Sequence, residues 1–172
     1  MKRFFRKAIV IAISLVTVGV AVNAQEKGDK AAGANLSISD SRKIIGIGAK
    51  FQYNVSKPFR LESAFQYIFE DYSINRWNLF LNGHLLLPLS KRMKIYPVAG
   101  LGILQQKYDL FYSEELAYTS EKSSDIFWAY NIGGGIDFKL KNNLIINAEL
   151  NYKLWENNRR NTYLSAGIVY IF

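Results

Sequence analysis

Between residues 144 and 155 the chain alternates between two kinds of residue. Leu144, Ile146, Ala148, Leu150, Tyr152 and Leu154 alternate with Ile145, Asn147, Glu149, Asn151, Lys153 and Trp155, so one face is apolar and the other mostly polar. A period of two marks an extended strand lying between two different environments, because successive side chains point to opposite sides of the backbone. Seven further segments carry the same pattern, at about residues 30–38, 44–54, 60–69, 76–87, 94–108, 126–139 and 162–172. An aromatic share of 15% and only three prolines suit pleated sheet, and a hydrophobic share of 49% is too high for disorder. The expected fold class is therefore all-β, with eight antiparallel strands running up and down.

The connections alternate in length. Ser56–Pro58, Ser90–Met93 and Lys141–Asn143 are tight and polar, whereas the longest of the others, about Asp109–Ser124, is rich in Ser, Glu and Tyr. Short turns at one end and longer loops at the other, joining strands of about ten residues, match a barrel that crosses a bilayer at a tilt. The 172 residues contain no cysteine, which excludes disulfide scaffolds, thiolate metal sites and an acyl anchor on an N-terminal cysteine.

Residues 1–24 read as a secretory signal peptide. Lys2, Arg3, Arg6 and Lys7 precede an uncharged apolar stretch from Ala8 to Val22 that closes on the small-x-small run Val22-Asn23-Ala24. An apolar run of about 15 residues is shorter than a spanning helix needs. Removing the leader lowers the formal charge from +8 to +4, since four of the 22 cations leave and no acid does. The remaining cations are scattered among acids, so a nucleic-acid partner is not expected. The mature domain is then residues 25–172.

Alternation alone does not say which face is enclosed, because a soluble barrel and a membrane barrel share it. Two features point to an enclosed polar face. Gly33, Gly46, Gly48, Gly100, Gly102, Gly133, Gly135 and Gly167 fall on that face, where they leave room for long neighbours inside a narrow barrel but would only weaken strands exposed to solvent. Threading the strands up and down also sorts the apolar-face aromatics by height. Tyr67, Phe69, Trp77, Trp128, Tyr130 and Tyr152 gather at the long-loop end, and Phe51, Tyr53, Phe138, Tyr170 and Phe172 at the short-turn end. Two such girdles around an aliphatic band are the interfacial placement of amphipathic rings.

The closing run Ser165-Ala166-Gly167-Ile168-Val169-Tyr170-Ile171-Phe172 has aromatics at its third-last and last positions. Together with the leader it resembles the family of small eight-stranded outer-membrane β-barrels typified by OmpX and the transmembrane part of OmpA. The resemblance spans nearly all of residues 25–172, without the periplasmic wall-binding domain of full-length OmpA. It implies residence in the outer membrane of a Gram-negative envelope, contact with outer-membrane lipids and lipopolysaccharide, and insertion by the barrel assembly machinery through the C-terminal strand. It implies a structural, adhesion or surface-interaction role.

Candidate chemistry is sparse. His84, the only histidine, lies on the polar face of the fourth strand, and no nucleophile motif accompanies it. A hydrogen-bonded interior side chain is the expected reading. Lipid-modifying eight-stranded barrels need their catalytic groups within reach of lipid, and His84 points the other way. Gly133-Gly134-Gly135 and Gly100-Leu101-Gly102 lead into no helix and no G-K-S/T run, so they are read as barrel spacing, not nucleotide loops. No metal, cofactor or catalytic residues are assigned. Lys50, Glu62, His84, Asp137, Glu149 and Lys153, with Lys139, are expected to fill the lumen as a polar network, and Tyr53, Tyr67, Trp77, Trp128, Tyr130, Tyr152, Tyr170 and Phe172 to mark the membrane interfaces. Arg159-Arg160 is either a solvated loop pair or a contact for lipopolysaccharide phosphates. The alternatives to a non-enzymatic surface barrel are a small-solute porin or ligand-binding barrel, a lipid-modifying enzyme, and a soluble lipocalin-like carrier.

Overall fold

The computed structural model describes residues 27–40, 44–69, 74–108, 123–156 and 160–172. The proposed leader, most of the longest loop and Arg159 lie outside them.

Eight strands form one closed sheet: β1 (Lys30–Ser39), β2 (Ile45–Asn54), β3 (Phe59–Phe69), β4 (Ile74–Leu85, continued by Leu87–Pro88), β5 (Met93–Tyr108), β6 (Ser123–Lys141), β7 (Leu144–Trp155) and β8 (Arg160–Ile171). Each pairs antiparallel with its neighbours in sequence, and β1 pairs with β8 to close the ring. Closure leaves no free edge, so every strand finds backbone partners on both sides, as a sheet surrounded by hydrocarbon requires. The strands expected from alternation are all present, with the same residues on the same faces. The main difference is length: β6 extends to 19 residues, starting three residues before and ending two residues after the span that the pattern suggested.

The register fixes the inversion of the molecule. In β2 exposure alternates residue by residue, with Ile45, Ile47, Ala49, Phe51 and Tyr53 outside and Gly46, Gly48, Lys50, Gln52 and Asn54 inside. Large apolar side chains such as Leu36, Leu81, Leu101, Ile132 and Leu164 are exposed on the outer surface, while Lys50, Arg60, Glu62, Asp137, Glu149 and Lys153 are buried. A continuous exposed apolar surface of this extent is the signature of a partner environment that is itself apolar.

Inward glycines sit opposite the inward side chains that need their space. Tyr96 pairs directly with Gly135, and a Cβ placed on Gly135 would lie 2.5 to 2.6 Å from three atoms of the Tyr96 side chain. Phe80 pairs with Gly102, where a Cβ would fall 2.6 Å from the phenyl ring. The expectation that these glycines accommodate long charged neighbours is thus refined, since at these two positions the space is taken by rings lying flat across the adjacent strand.

Candidate functional site

The alternation of β2, β3, β4 and β7 sends Lys50 and Gln52, Arg60 and Glu62, Asn82 and His84, and Asn147, Glu149 and Asn151 into the lower half of the lumen, toward the short turns. Arg60 is the centre of this layer. Its Nη1 donates across the lumen to Asp137 Oδ2 at 2.7 Å, and its Nε and Nη2 lie 3.0 and 2.9 Å from His84 Nδ1. Because Nδ1 accepts, the proton of the neutral imidazole sits on Nε2, 3.7 Å from Glu62 Oε1. The His84 ring stacks on Tyr96 with centroids 4.8 Å apart, and the guanidinium carbon lies 4.6 Å from the Tyr96 ring centroid. Glu149 collects donors from three strands: Lys50 Nζ at 2.8 Å, Tyr96 Oη at 3.0 Å and Asn151 Nδ2 at 3.2 Å. Glu62 accepts from Gln52 Nε2 at 2.7 Å and Asn82 Nδ2 at 3.2 Å, with Lys50 Nζ 3.6 Å away. Three carboxylates and two cations are thus cross-linked from wall to wall.

The upper half is built differently. Lys153 donates to Gln66 Oε1 at 2.7 Å and Asn78 Oδ1 at 3.4 Å, and its ammonium lies 4.7 Å from the Phe80 ring centroid and 4.5 Å from that of Tyr163. Gln66 in turn donates to Ser37 Oγ. Around and above this cation Ile44, Ile68, Phe80, Leu104, Ala129, Trp155 and Tyr163 pack into an apolar cluster with Phe127 against it. Between the two halves lies a polar cavity of about 30 Å³, lined by Lys50, Glu62, Glu149 and Lys153 with Asn82, Asn131 and Asn151 among the neutral groups. That is room for about two waters, and the side-chain oxygens of Asn131 and Asn151 are without a protein donor. A passage for a solute would need a continuous lumen of far greater bore, and an eight-stranded interior is just wide enough for its own side chains.

Outside, the rings fall into two belts. Trp77, Trp128, Tyr130, Tyr67 and Tyr152 project outward near the long connections, with Trp128 64% exposed, and Tyr53, Tyr170 and Phe172 project outward near the short turns. Such a surface, over such a lumen, is that of a membrane barrel.

A family model described as outer membrane protein beta-barrel domain matches residues 8–172. The chain belongs to that family. It is an outer-membrane protein, and the barrel is its membrane-embedded body. Solved structures share the fold. The N-terminal β-barrel domain of Pseudomonas aeruginosa OprF superposes with a TM-score of 0.65 at 13% identity, covering 86% of this chain and 100% of that one. Neisserial surface protein A gives 0.66 at 15% identity, covering 84% and 96%. Ail, the attachment invasion locus protein of Yersinia pestis, solved in complex with the heparin analogue sucrose octasulfate, gives 0.57 at 16% identity, covering 85% and 99%. No curated protein sequence matches the chain. What the barrel shares with these proteins is architecture.

The structure brings Lys50, Glu62, His84 and Glu149 into one network, which continues to Asp137 through Arg60; it sets Lys153 apart above the cavity, and leaves Lys139 half-buried. Sequence reasoning passed over Arg60, the side chain that ties Asp137 to His84. Its inward register was legible from Leu61 beside it, but nothing along the chain says that residues 60 and 137 face each other. The upper apolar cluster was also missed, because Phe80, Trp155 and Tyr163 sit on a face otherwise read as polar. Among the described residues no group of three or more His, Cys, Asp or Glu is arranged to hold a metal ion.

Proposed function

We propose that this outer-membrane barrel acts through its exposed surface, as a structural, adhesion or surface-interaction protein, and not through passage of solutes along its axis. The observation that carries this reading is the lumen. Its lower half is bridged by Arg60–Asp137 and Lys50–Glu149, its upper half is filled by an apolar cluster, and the cavity between them is about 30 Å³. A rigid closed tube that presents long connections at one end is a scaffold for those connections. Ail, a relative in fold, is named for attachment and was solved with a sulfated sugar analogue bound, which supports a contact role for barrels of this size.

The reading is non-enzymatic. His84 is 0% exposed and its ring is enclosed by Arg60, Tyr96 and Glu62, so a lipid substrate outside the barrel has no route to it. The chain is further proposed to be exported by the 1–24 leader and inserted by the barrel assembly machinery through the terminal strand ending Tyr170-Ile171-Phe172, with outer-membrane lipids and lipopolysaccharide as its surroundings. Planar-bilayer recording tests the closed lumen. Little or no conductance is expected, and large, stable single-channel currents from the refolded barrel would overturn the proposal in favour of a small-solute porin.

A further inference from the structure

The short-turn end of the barrel is strongly and one-sidedly charged. Each of its three turns carries a lysine (Lys57 in 55–58, Lys91 in 89–92, and Lys141 at the edge of 142–143), and Arg92, Lys27 and Lys30 add three more cations, all six exposed. Among the described residues the acids near this end are Asp29 and Asp137, and Asp137 is enclosed with Arg60. The opposite end differs, since Asp40, Asp125 and Glu156 are exposed there alongside Arg160.

The cations are also at a particular height. Lys30 is paired in register with Tyr53, and Lys141 follows Phe138 and Leu140 on β6, so the cations lie at or just beyond the lower aromatic girdle formed by Tyr53, Tyr170 and Phe172. Long cationic side chains at that depth extend from the hydrocarbon boundary into the headgroup layer. They are spread over every turn around the circumference. A docked protein needs a contiguous patch, whereas a complete ring of anionic headgroups surrounds the barrel and meets all the turns at once. Short turns face the periplasm in barrels of this kind, so the leaflet concerned is the periplasmic one.

We infer that the basic rim formed by Lys27, Lys30, Lys57, Lys91, Arg92 and Lys141 is a binding surface for anionic phospholipid headgroups of the periplasm-facing leaflet, holding an annulus of acidic lipid around the barrel. The surface is independent of the long connections and of any contact they make.

The test uses the full mature barrel reconstituted in phosphatidylcholine vesicles carrying trace spin-labelled phosphatidylglycerol or spin-labelled phosphatidylcholine. The motionally restricted fraction gives the association of one label relative to the other. The wild type is expected to favour phosphatidylglycerol by at least about three-fold at low salt, with the ratio falling toward one as added salt shortens the screening length to about 3 Å at 1 M. The variant K57Q/K91Q/R92Q/K141Q changes only exposed turn and rim residues, and its folding is verified by heat-modifiable gel mobility. It should lose most of the preference, while the matching lysine-to-arginine variant K57R/K91R/K141R keeps it and Arg160→Gln at the other end leaves it unchanged. A ratio near one for the wild type, or a preference that the glutamine variant retains, would overturn the inference. So would a wild type without lipid preference that nevertheless captures soluble polyphosphate, which would assign the rim to a periplasmic polyanion instead.

Discussion

The two halves of the lumen close the same tube by opposite means. Below the cavity, Arg60 is paired with Asp137 and Lys50 is shared between Glu149 and Glu62, with His84 and Tyr96 stacked between them. Above it Lys153 rests on amide oxygens and ring faces under a lid of Ile44, Ile68, Leu104 and Trp155. Both fill the space. They differ in what happens when one member is removed, because a matched pair leaves a stranded charge while an apolar cluster leaves only a gap.

The largest expected effect is therefore in the lower half. Asp137→Ala strands the buried Arg60 guanidinium, and urea unfolding of the vesicle-folded barrel should register a loss of about 3 to 5 kcal/mol. Replacing both partners, as Arg60→Met with Asp137→Leu, should return most of that, since a buried ion pair often does no better than well-packed apolar groups of similar volume. A single-variant loss below about 1 kcal/mol would mean that water reaches Arg60 and screens it once Asp137 is gone.

The next effect is shared by both halves and separates packing from charge. Gly135→Ala drives a methyl group into the Tyr96 ring, and Gly102→Ala drives one against the Leu79 carbonyl oxygen and the Phe80 ring. Each should cost about 1 to 3 kcal/mol by overpacking in the same unfolding measurement. Gly134 lies between two inward glycines but faces outward, and a Cβ there comes no nearer than 3.4 Å to the Tyr96 carbonyl oxygen. Gly134→Ala should consequently change stability by less than about 0.5 kcal/mol. Equal losses at positions 134 and 135 would contradict the register that sends alternate glycines to opposite faces.

How much of this was legible along the chain follows from the range of each interaction. Strand number, strand faces and the two aromatic belts are set by period-two alternation and turn length, which are local, so Lys50, Glu62, His84 and Glu149 could be placed inside before any fold was drawn. The pairings are not local: Lys50 meets Glu149 and Arg60 meets Asp137 across the barrel, 99 and 77 residues apart in sequence. The rings of Phe80 and Tyr96 were hidden for a different reason. Their partners, Gly102 and Gly135, are set by cross-strand register, which fixes where a bulky inward side chain lies flat. A glycine directly opposite an inward aromatic is the sequence signal that would have found both, once hairpin registers were counted back from the turns.

The smallest expected effect decides whether the halves are independent. Lys153→Met keeps the side-chain length and the contact with Phe80 and Tyr163, replacing a cation over two rings by a thioether that also favours ring contact. Gln66 Oε1 retains the donor Asn78 Nδ2 at 3.3 Å, so only Asn78 Oδ1 loses a partner. On these local terms stability should move by no more than about 1 kcal/mol. The same substitution, however, removes one of the buried cations near Glu62, Asp137 and Glu149, leaving Lys50, Arg60 and Lys94. If unfolding shows a loss above about 3 kcal/mol, the size that breaking a buried pair produces, then Lys153 balances the carboxylates below it through the polar cavity, and the lumen is one electrostatic unit instead of two layers closed in different ways.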